Sequence, residues 1–124
     1  MPSTTTLERF IARVEENAHV EAIEEFYAEE ATMQENQSAP RSGRAALVEN
    51  ERRVMAKARS VRSLCVRPVF VAGDHVVIRW RFHFAWTDGS TTDIEELACQ
   101  RWEHEQIVAE RFFYDPAQLA RKPA

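Results

Sequence analysis

The chain has 124 residues, of which 44% are hydrophobic and 29% are charged. This size and balance are typical of one soluble domain with a single core, so residues 1–124 are interpreted as one domain. The net charge of −4 argues against nucleic-acid binding, which normally needs a basic surface. No apolar run is long enough to span a membrane and no signal peptide is evident, so a cytoplasmic location is expected.

Three amphipathic helices are predicted in the first half of the chain. Thr5 and Glu8 have the spacing of a capping box and would begin the first helix. Ser42 is placed to cap the third helix. Apolar residues recur at helical spacing after each of these starts. The predicted helices cover approximately residues 6–17, 20–27 and 43–58.

From residue 60 the pattern changes to the alternation of half-buried strands. The clearest strand is His75–Trp86, in which one face consists of Val76, Ile78, Trp80, Phe82, Phe84 and Trp86. Turns at Gly73 and Gly89 connect it to its neighbours and predict a meander of antiparallel strands. The predicted strands are 61–71, 75–86, 91–103 and 107–114, after a short strand at 31–35. The order predicts an α+β fold with three helices packed on one face of the sheet.

The turn before residue 91 decides which side chains of the third long strand point inward. A three-residue loop ending at Gly89 puts Glu96 and Gln100 beside the aromatic face of the central strand. A two-residue loop would bury three charged side chains, which is costly, so the first register is expected. In the last strand both alternations are half apolar. The side chains taken to point inward are those of Val108, Glu110, Phe112 and Tyr114.

Histidines and cysteines show no pattern that indicates a metal site. Cys65 and Cys99 are interpreted as free thiols in strands. A surface role is expected for all four histidines: His19, His75, His83 and His104. No metal and no cofactor is therefore predicted.

Three stretches carry a resemblance to a known family: Phe26–Glu35, Ala39–Ala46 and Phe112–Pro116. They resemble the ketosteroid isomerase and SnoaL-like polyketide cyclase group of the nuclear transport factor 2-like superfamily. The resemblance implies a cystatin-like cone, in which a curved sheet wraps a helix and leaves a pocket open at one end. It also implies a homodimer formed through the outer face of the sheet.

The resemblance assigns the general-base carboxylate to Glu35, and the inward register makes Glu110 a second candidate catalytic carboxylate. The family's two oxyanion donors would fall on Phe10 or Ile11 and on Ala98, none of which can donate a hydrogen bond. Ordinary ketosteroid isomerase chemistry is therefore not expected. The candidate substrate-binding residues are Phe10, Tyr27, Trp80, Phe82, Glu96, Gln100 and Tyr114.

Two functions stay open from the sequence. One is a cofactor-independent isomerase, cyclase or lyase that acts on a small cyclic or polyketide-like molecule. The other is a non-catalytic ligand-binding or dimerisation module on the same fold. Carboxylates that converge on one pocket would favour the enzyme, and an entirely apolar pocket would favour the binding module.

Overall fold

The computed structural model describes all residues, 1–124, as three helices packed on one face of a six-stranded sheet. The helices are α1 (Thr4–Glu15), α2 (His19–Phe26) and α3 (Arg44–Lys57). The strands are β1 (Tyr27–Glu35), β2 (Arg41–Ser42), β3 (Ala58–Ala72), β4 (His75–Trp86), β5 (Thr91–Glu103) and β6 (Gln106–Phe113). A short 3₁₀ helix follows at Pro116–Leu119. The predicted α+β class is confirmed.

The sheet has the order β2-β1-β6-β5-β4-β3. Every neighbouring pair is antiparallel except β1 and β6, which run parallel. This parallel pair brings the last strand of the chain against its first, and the sheet stays open, with β2 and β3 at its edges. It also makes β1 longer than predicted, because Tyr27 already pairs with Ile107.

The helix starts differ from the predicted caps. The Ser3 hydroxyl, and not that of Thr5, accepts a hydrogen bond from the Thr6 amide at the start of α1. At the start of α3 the N-cap residue is Gly43, with φ of 94°, and Ser42 instead belongs to β2. Gly43 makes the turn from β2 into the helix in a backbone conformation that other residues rarely adopt.

The predicted register of β4 and β5 is confirmed. Gly89 has φ of 88°, as the three-residue loop requires, and Trp80 pairs directly with Glu96. The inward side chains of β5 alternate between apolar and polar. Thr92, Ala98 and Gln100 are each no more than 2% exposed.

A β-bulge changes the start of β6. Arg101 pairs with Ala109, but the next residue, Trp102, pairs with Ile107. The extra residue puts Ile107 in the core, fully buried, while Val108 is only half-buried. The predicted inward face is therefore right for Glu110 and wrong for Val108, because a bulge shifts which residues share a face.

The main core lies between α1, α2 and the inner face of the sheet. Phe10 contacts Phe26 and Trp102 edge-on, with ring centroids 5.5 and 5.9 Å apart. These contacts fill one end of the layer and leave the other end open as a cavity. No helix of the chain is long and apolar enough to cross a membrane.

Candidate active site

The cavity lies between the helices and β4–β6 and has a volume of about 360 Å³. One wall is a row of four aromatic side chains on β4. Trp80 and Phe82 stack with centroids 5.6 Å apart, and Phe84 and Trp86 stack at 4.9 Å. The volume suits a small molecule, and the aromatic face predicted for this strand lines the cavity.

Glu110 lies at the closed end of the cavity and is 3% exposed. The Tyr27 hydroxyl donates a hydrogen bond to one carboxyl oxygen, and Gln100 Nε2 donates to the other at 2.6 Å. Trp102 Nε1 in turn donates to Gln100 Oε1 at 2.9 Å. We call these four residues the closed-end network. It brings a predicted catalytic residue together with two predicted binding residues.

Burial raises the pKa of Glu110 to about 7, although the hydrogen bonds from Tyr27 and Gln100 act in the opposite direction. Burial and the neighbouring Glu110 also raise the pKa of Tyr27, so the phenol stays protonated. A carboxyl that titrates near neutral pH can both take and return a proton efficiently. The closed-end network therefore has the properties of a general base.

Glu96 faces the same cavity from β5 but makes no side-chain hydrogen bond or ion pair. It is half-buried opposite Trp80. Burial, together with the nearby carboxyls of Glu110, Glu35 and Glu51, raises its pKa to about 8. The side chain is therefore mostly neutral at pH 7 and has its full hydrogen-bonding capacity free.

Glu35 lines the cavity at its rim, where its side chain is exposed. The Tyr114 hydroxyl donates to Glu35 Oε1 at 2.8 Å. Burial and this contact raise the pKa of Tyr114. The predicted base is thus a lining residue, but it lies in contact with solvent.

The C-terminal segment also contributes to the rim. Leu119 and Arg121 line the cavity. The Arg121 guanidinium lies 4.5 Å from the Trp86 ring centroid and pairs with Asp88 at 3.2 Å. The segment therefore covers one side of the opening.

His19 lies in the helix wall of the cavity, so the predicted surface role is wrong for this residue. The Ser63 hydroxyl donates to Asn17 at 2.8 Å, so it accepts from His19 Nε2, also at 2.8 Å. His19 Nδ1 lies 3.4 Å from Glu51 Oε1, and Glu51 lines the cavity too. The buried stripe of α2 could have revealed this histidine, because the helix buries it together with the residues three, four and seven positions later.

The structure brings most of the predicted site residues together. The lining includes Phe10, Tyr27, Glu35, Trp80, Phe82, Glu96 and Glu110. Gln100 supports Glu110, and Tyr114 reaches the rim through Glu35. Sequence reasoning missed His19, Arg41, Glu51 and Arg121 among the lining residues.

A curved sheet that wraps three helices around an open-ended pocket defines the nuclear transport factor 2-like class, which includes the ketosteroid isomerase-like folds. Residues 7–110 match the model of the SnoaL-like domain, and the chain belongs to this family. No curated protein matches the chain.

Solved structures share the fold at low sequence identity. A candidate SnoaL-like polyketide cyclase from Mesorhizobium loti has a TM-score of 0.76 at 18% identity, over 92% of this chain and 100% of the other. A ketosteroid isomerase-like protein from Catenulispora acidiphila, in complex with trimethylamine, has a TM-score of 0.76 at 17% identity, over 94% and 89%. An M. tuberculosis protein described as an LEH-like epoxide hydrolase has a TM-score of 0.74 at 10% identity, over 92% of this chain and 83% of the other.

Proposed function

We propose that the protein is a cofactor-independent enzyme that moves a proton on a small, largely apolar cyclic molecule. The observation that carries this proposal is the Glu110 carboxyl, which is buried in a cavity wall and held by two donors. Isomerisation, cyclisation and elimination all need such a base. Relatives of the same fold described as a polyketide cyclase and an epoxide hydrolase support an enzyme of this kind.

In the proposed reaction Glu110 accepts the proton from the substrate. Tyr27 and Gln100 fix the direction of its two oxygens, and each oxygen keeps a lone pair for a further contact. The aromatic wall and the helices exclude water, which strengthens the electrostatic interactions inside the cavity. At pH 7 the carboxyl is divided between its two forms, so it can accept the proton and return it elsewhere on the same molecule.

Glu96 and Glu35 have separate roles in this proposal. Glu96 binds the ligand, because its carboxyl points into the cavity without a protein partner. Glu35 holds Tyr114 at the rim and is too solvated to be the principal base. Ordinary steroid isomerisation stays excluded from the proposal, because Phe10 and Ala98 cannot stabilise an oxyanion.

The proposal is tested by proton exchange on small cyclic ketones in deuterated buffer, followed by NMR. The native protein should speed deuterium incorporation next to the carbonyl of at least one ketone. Glu110→Gln should reduce this rate by about 100-fold, while Glu95→Gln, a change on the outer face of β5, should not. No acceleration by the native protein, or an equal rate in the Glu110 variant, would contradict the proposal.

The second candidate function is a ligand-binding module without catalysis. It is favoured by the completeness of the closed-end network, since every buried polar side-chain atom of the chain has a partner. The C. acidiphila relative, solved with a bound small molecule and no named reaction, is also compatible with binding alone. This function predicts saturable binding of a cyclic ligand with no proton exchange, and unchanged binding in Glu110→Gln.

We also propose a homodimer through the outer face of the sheet. Leu64, Leu97 and Phe113 are 51%, 44% and 37% exposed there. Arg79 pairs with Leu97 in the sheet and is bound to Glu95, so the face combines apolar and charged groups as interfaces do. Light scattering at micromolar concentration should report a dimer for the native protein and a monomer for Leu97→Glu. A native protein that is only monomeric would refute the dimer.

A further inference from the structure

Two ionisable side chains of the cavity have no partner in the protein. The ionisable residues that line it are His19, Tyr27, Glu35, Arg41, Glu51, Glu96, Glu110 and Arg121. All of them except Glu96 and Arg41 take part in a hydrogen bond or an ion pair. Arg41 is exposed at the rim on β2. Glu96 is therefore the unpaired side chain that faces the interior of the cavity.

The surroundings of Glu96 are those of a cation site. Its cross-strand neighbour on the inner face is Trp80, which is 2% exposed and stacks on Phe82. The faces of aromatic rings attract cations, most strongly for Trp. A positively charged group between Glu96 and these rings would gain a charge-assisted hydrogen bond and a cation–π contact together.

We infer that Glu96 and Trp80 bind a protonated amine, so that the molecule taken into the cavity is a small cyclic amine. A carboxylic acid would meet an acidic interior and could find an unpaired cation only at Arg41. A hydrocarbon would displace water from the half-buried Glu96 carboxyl without replacing the lost hydrogen bonds, which is unfavourable for a polar group. This inference deepens the proposed function by naming the ligand class. It rests on the proposed function in one respect, because both take the cavity as the site where the ligand binds.

The charges around Glu96 determine how binding should depend on pH. Glu35 from β1, Glu51 from α3 and Glu110 from β6 all act to keep it protonated. An ammonium group supplies the opposite charge, so its binding releases the Glu96 proton. The cationic lining residues, Arg41 and Arg121, lie at the rim, and His19 Nδ1 lies 3.4 Å from Glu51 Oε1. Amine affinity should therefore rise between pH 6 and pH 8.5, while the amine itself stays protonated.

The test compares three probes of one shape and different charge: benzylamine, benzyl alcohol and benzoate. Binding is followed by the fluorescence of Trp80 and Trp86 and by ligand-observed NMR. Benzylamine should bind at least about tenfold more tightly than benzyl alcohol at pH 8, as expected for a hydrogen bond to a charged group, and benzoate should bind most weakly.

Two variants locate the effect. Glu96→Gln keeps the shape of the side chain and should lower benzylamine affinity about tenfold, with no change for benzyl alcohol. Glu95→Gln is the matched control, because the adjacent side chain points outward to Arg79 and Arg81. It should bind all three probes as the native protein does.

The inference is overturned if the alcohol or benzoate binds as tightly as the amine, or if Glu96→Gln keeps native amine affinity. It also fails if none of the three probes binds at millimolar concentration. These outcomes are independent of the proposed reaction, whose test is the effect of Glu110→Gln on proton exchange with ketones. A cavity that prefers neutral or acidic ligands could still exchange protons through Glu110.

Discussion

Two carboxyls on neighbouring strands face the same cavity but have opposite environments. Glu110 receives hydrogen bonds from Tyr27 and Gln100, whereas Glu96 receives none. Burial raises the pKa of both. The comparison indicates which carboxyl the protein itself orients and which one it leaves free for a ligand.

The pairing of β5 with β6 and of β4 with β5 explains the difference. Gln100 lies directly opposite Glu110, and Trp102, two residues further on the same face, completes the network. Glu96 instead lies opposite Trp80, which points no donor at it. Ala98, between Glu96 and Gln100 on this face of β5, is fully buried in the core.

The largest expected effect comes from breaking the closed-end network with Gln100→Leu. The change removes a donor to Glu110 and the acceptor of the Trp102 indole, and both groups stay buried. We expect the free energy of unfolding to fall by about 3 kcal/mol, measured by urea denaturation. Gln37→Leu in the exposed loop after β1 should change it by less than about 0.5 kcal/mol. Equal effects would show that the network adds nothing to stability.

A smaller effect of defined sign is expected for Glu96→Gln. Because the folded-state pKa is raised, the folded protein binds the proton more tightly than the unfolded chain. The contribution of Glu96 to stability is thus present below about pH 4.5 and is lost as pH rises towards about 8. The Gln variant lacks this loss and should be more stable than the native protein at pH 9, by on the order of 2 kcal/mol, with little difference at pH 4.

The control for this comparison is Glu95→Gln, measured across the same pH range. Arg79 and Arg81 lower the pKa of Glu95 through hydrogen bonds, so removing its charge cannot stabilise the protein at pH 9. A gain at pH 9 in both variants would mean that general charge reduction, and not the cavity environment, is responsible. A gain in neither would contradict the environment described for Glu96.

The smallest expected effect concerns the rim. Arg121→Ala removes the contact over Trp86 and the pair with Asp88, and exposed contacts of this kind contribute about 0.5 kcal/mol. Stability should change little, while benzylamine should exchange faster, by a few-fold, in NMR line-shape measurements. Lys122→Ala is the control, since Lys122 pairs with Asp93 and does not line the cavity. Unchanged exchange in Arg121→Ala would show that the segment does not cover the opening.

Much of the sheet could be predicted because its signals are local. The alternation in β4 and the cost of burying charges in β5 identified the inward residues, including Glu96 and Gln100. The parallel pairing of β1 with β6 could not be read in this way, because it joins residues about 80 positions apart. The bulge near Trp102 was missed for a different reason, since both alternations of β6 are half apolar.

The sequence allowed the residues of the candidate site to be predicted better than their arrangement in space. Glu110, Tyr27 and Gln100 were each named, but their hydrogen bonds depend on the fold bringing β1, β5 and β6 together. Glu35 was assigned by family resemblance, which does not show how far the end of β1 is exposed. His19 was expected at the surface, although its spacing on α2 places it on the buried face.

The central claim is that burial raises the pKa of two cavity carboxyls into the neutral range, one with hydrogen-bond donors and one without. Carbon-detected NMR titration of the Glu carboxyl groups, assigned with Glu96→Gln and Glu110→Gln, tests it directly. The account predicts a pKa of about 8 for Glu96 and about 7 for Glu110. Two carboxyls that titrate near 4.5, as in solvent, would contradict it.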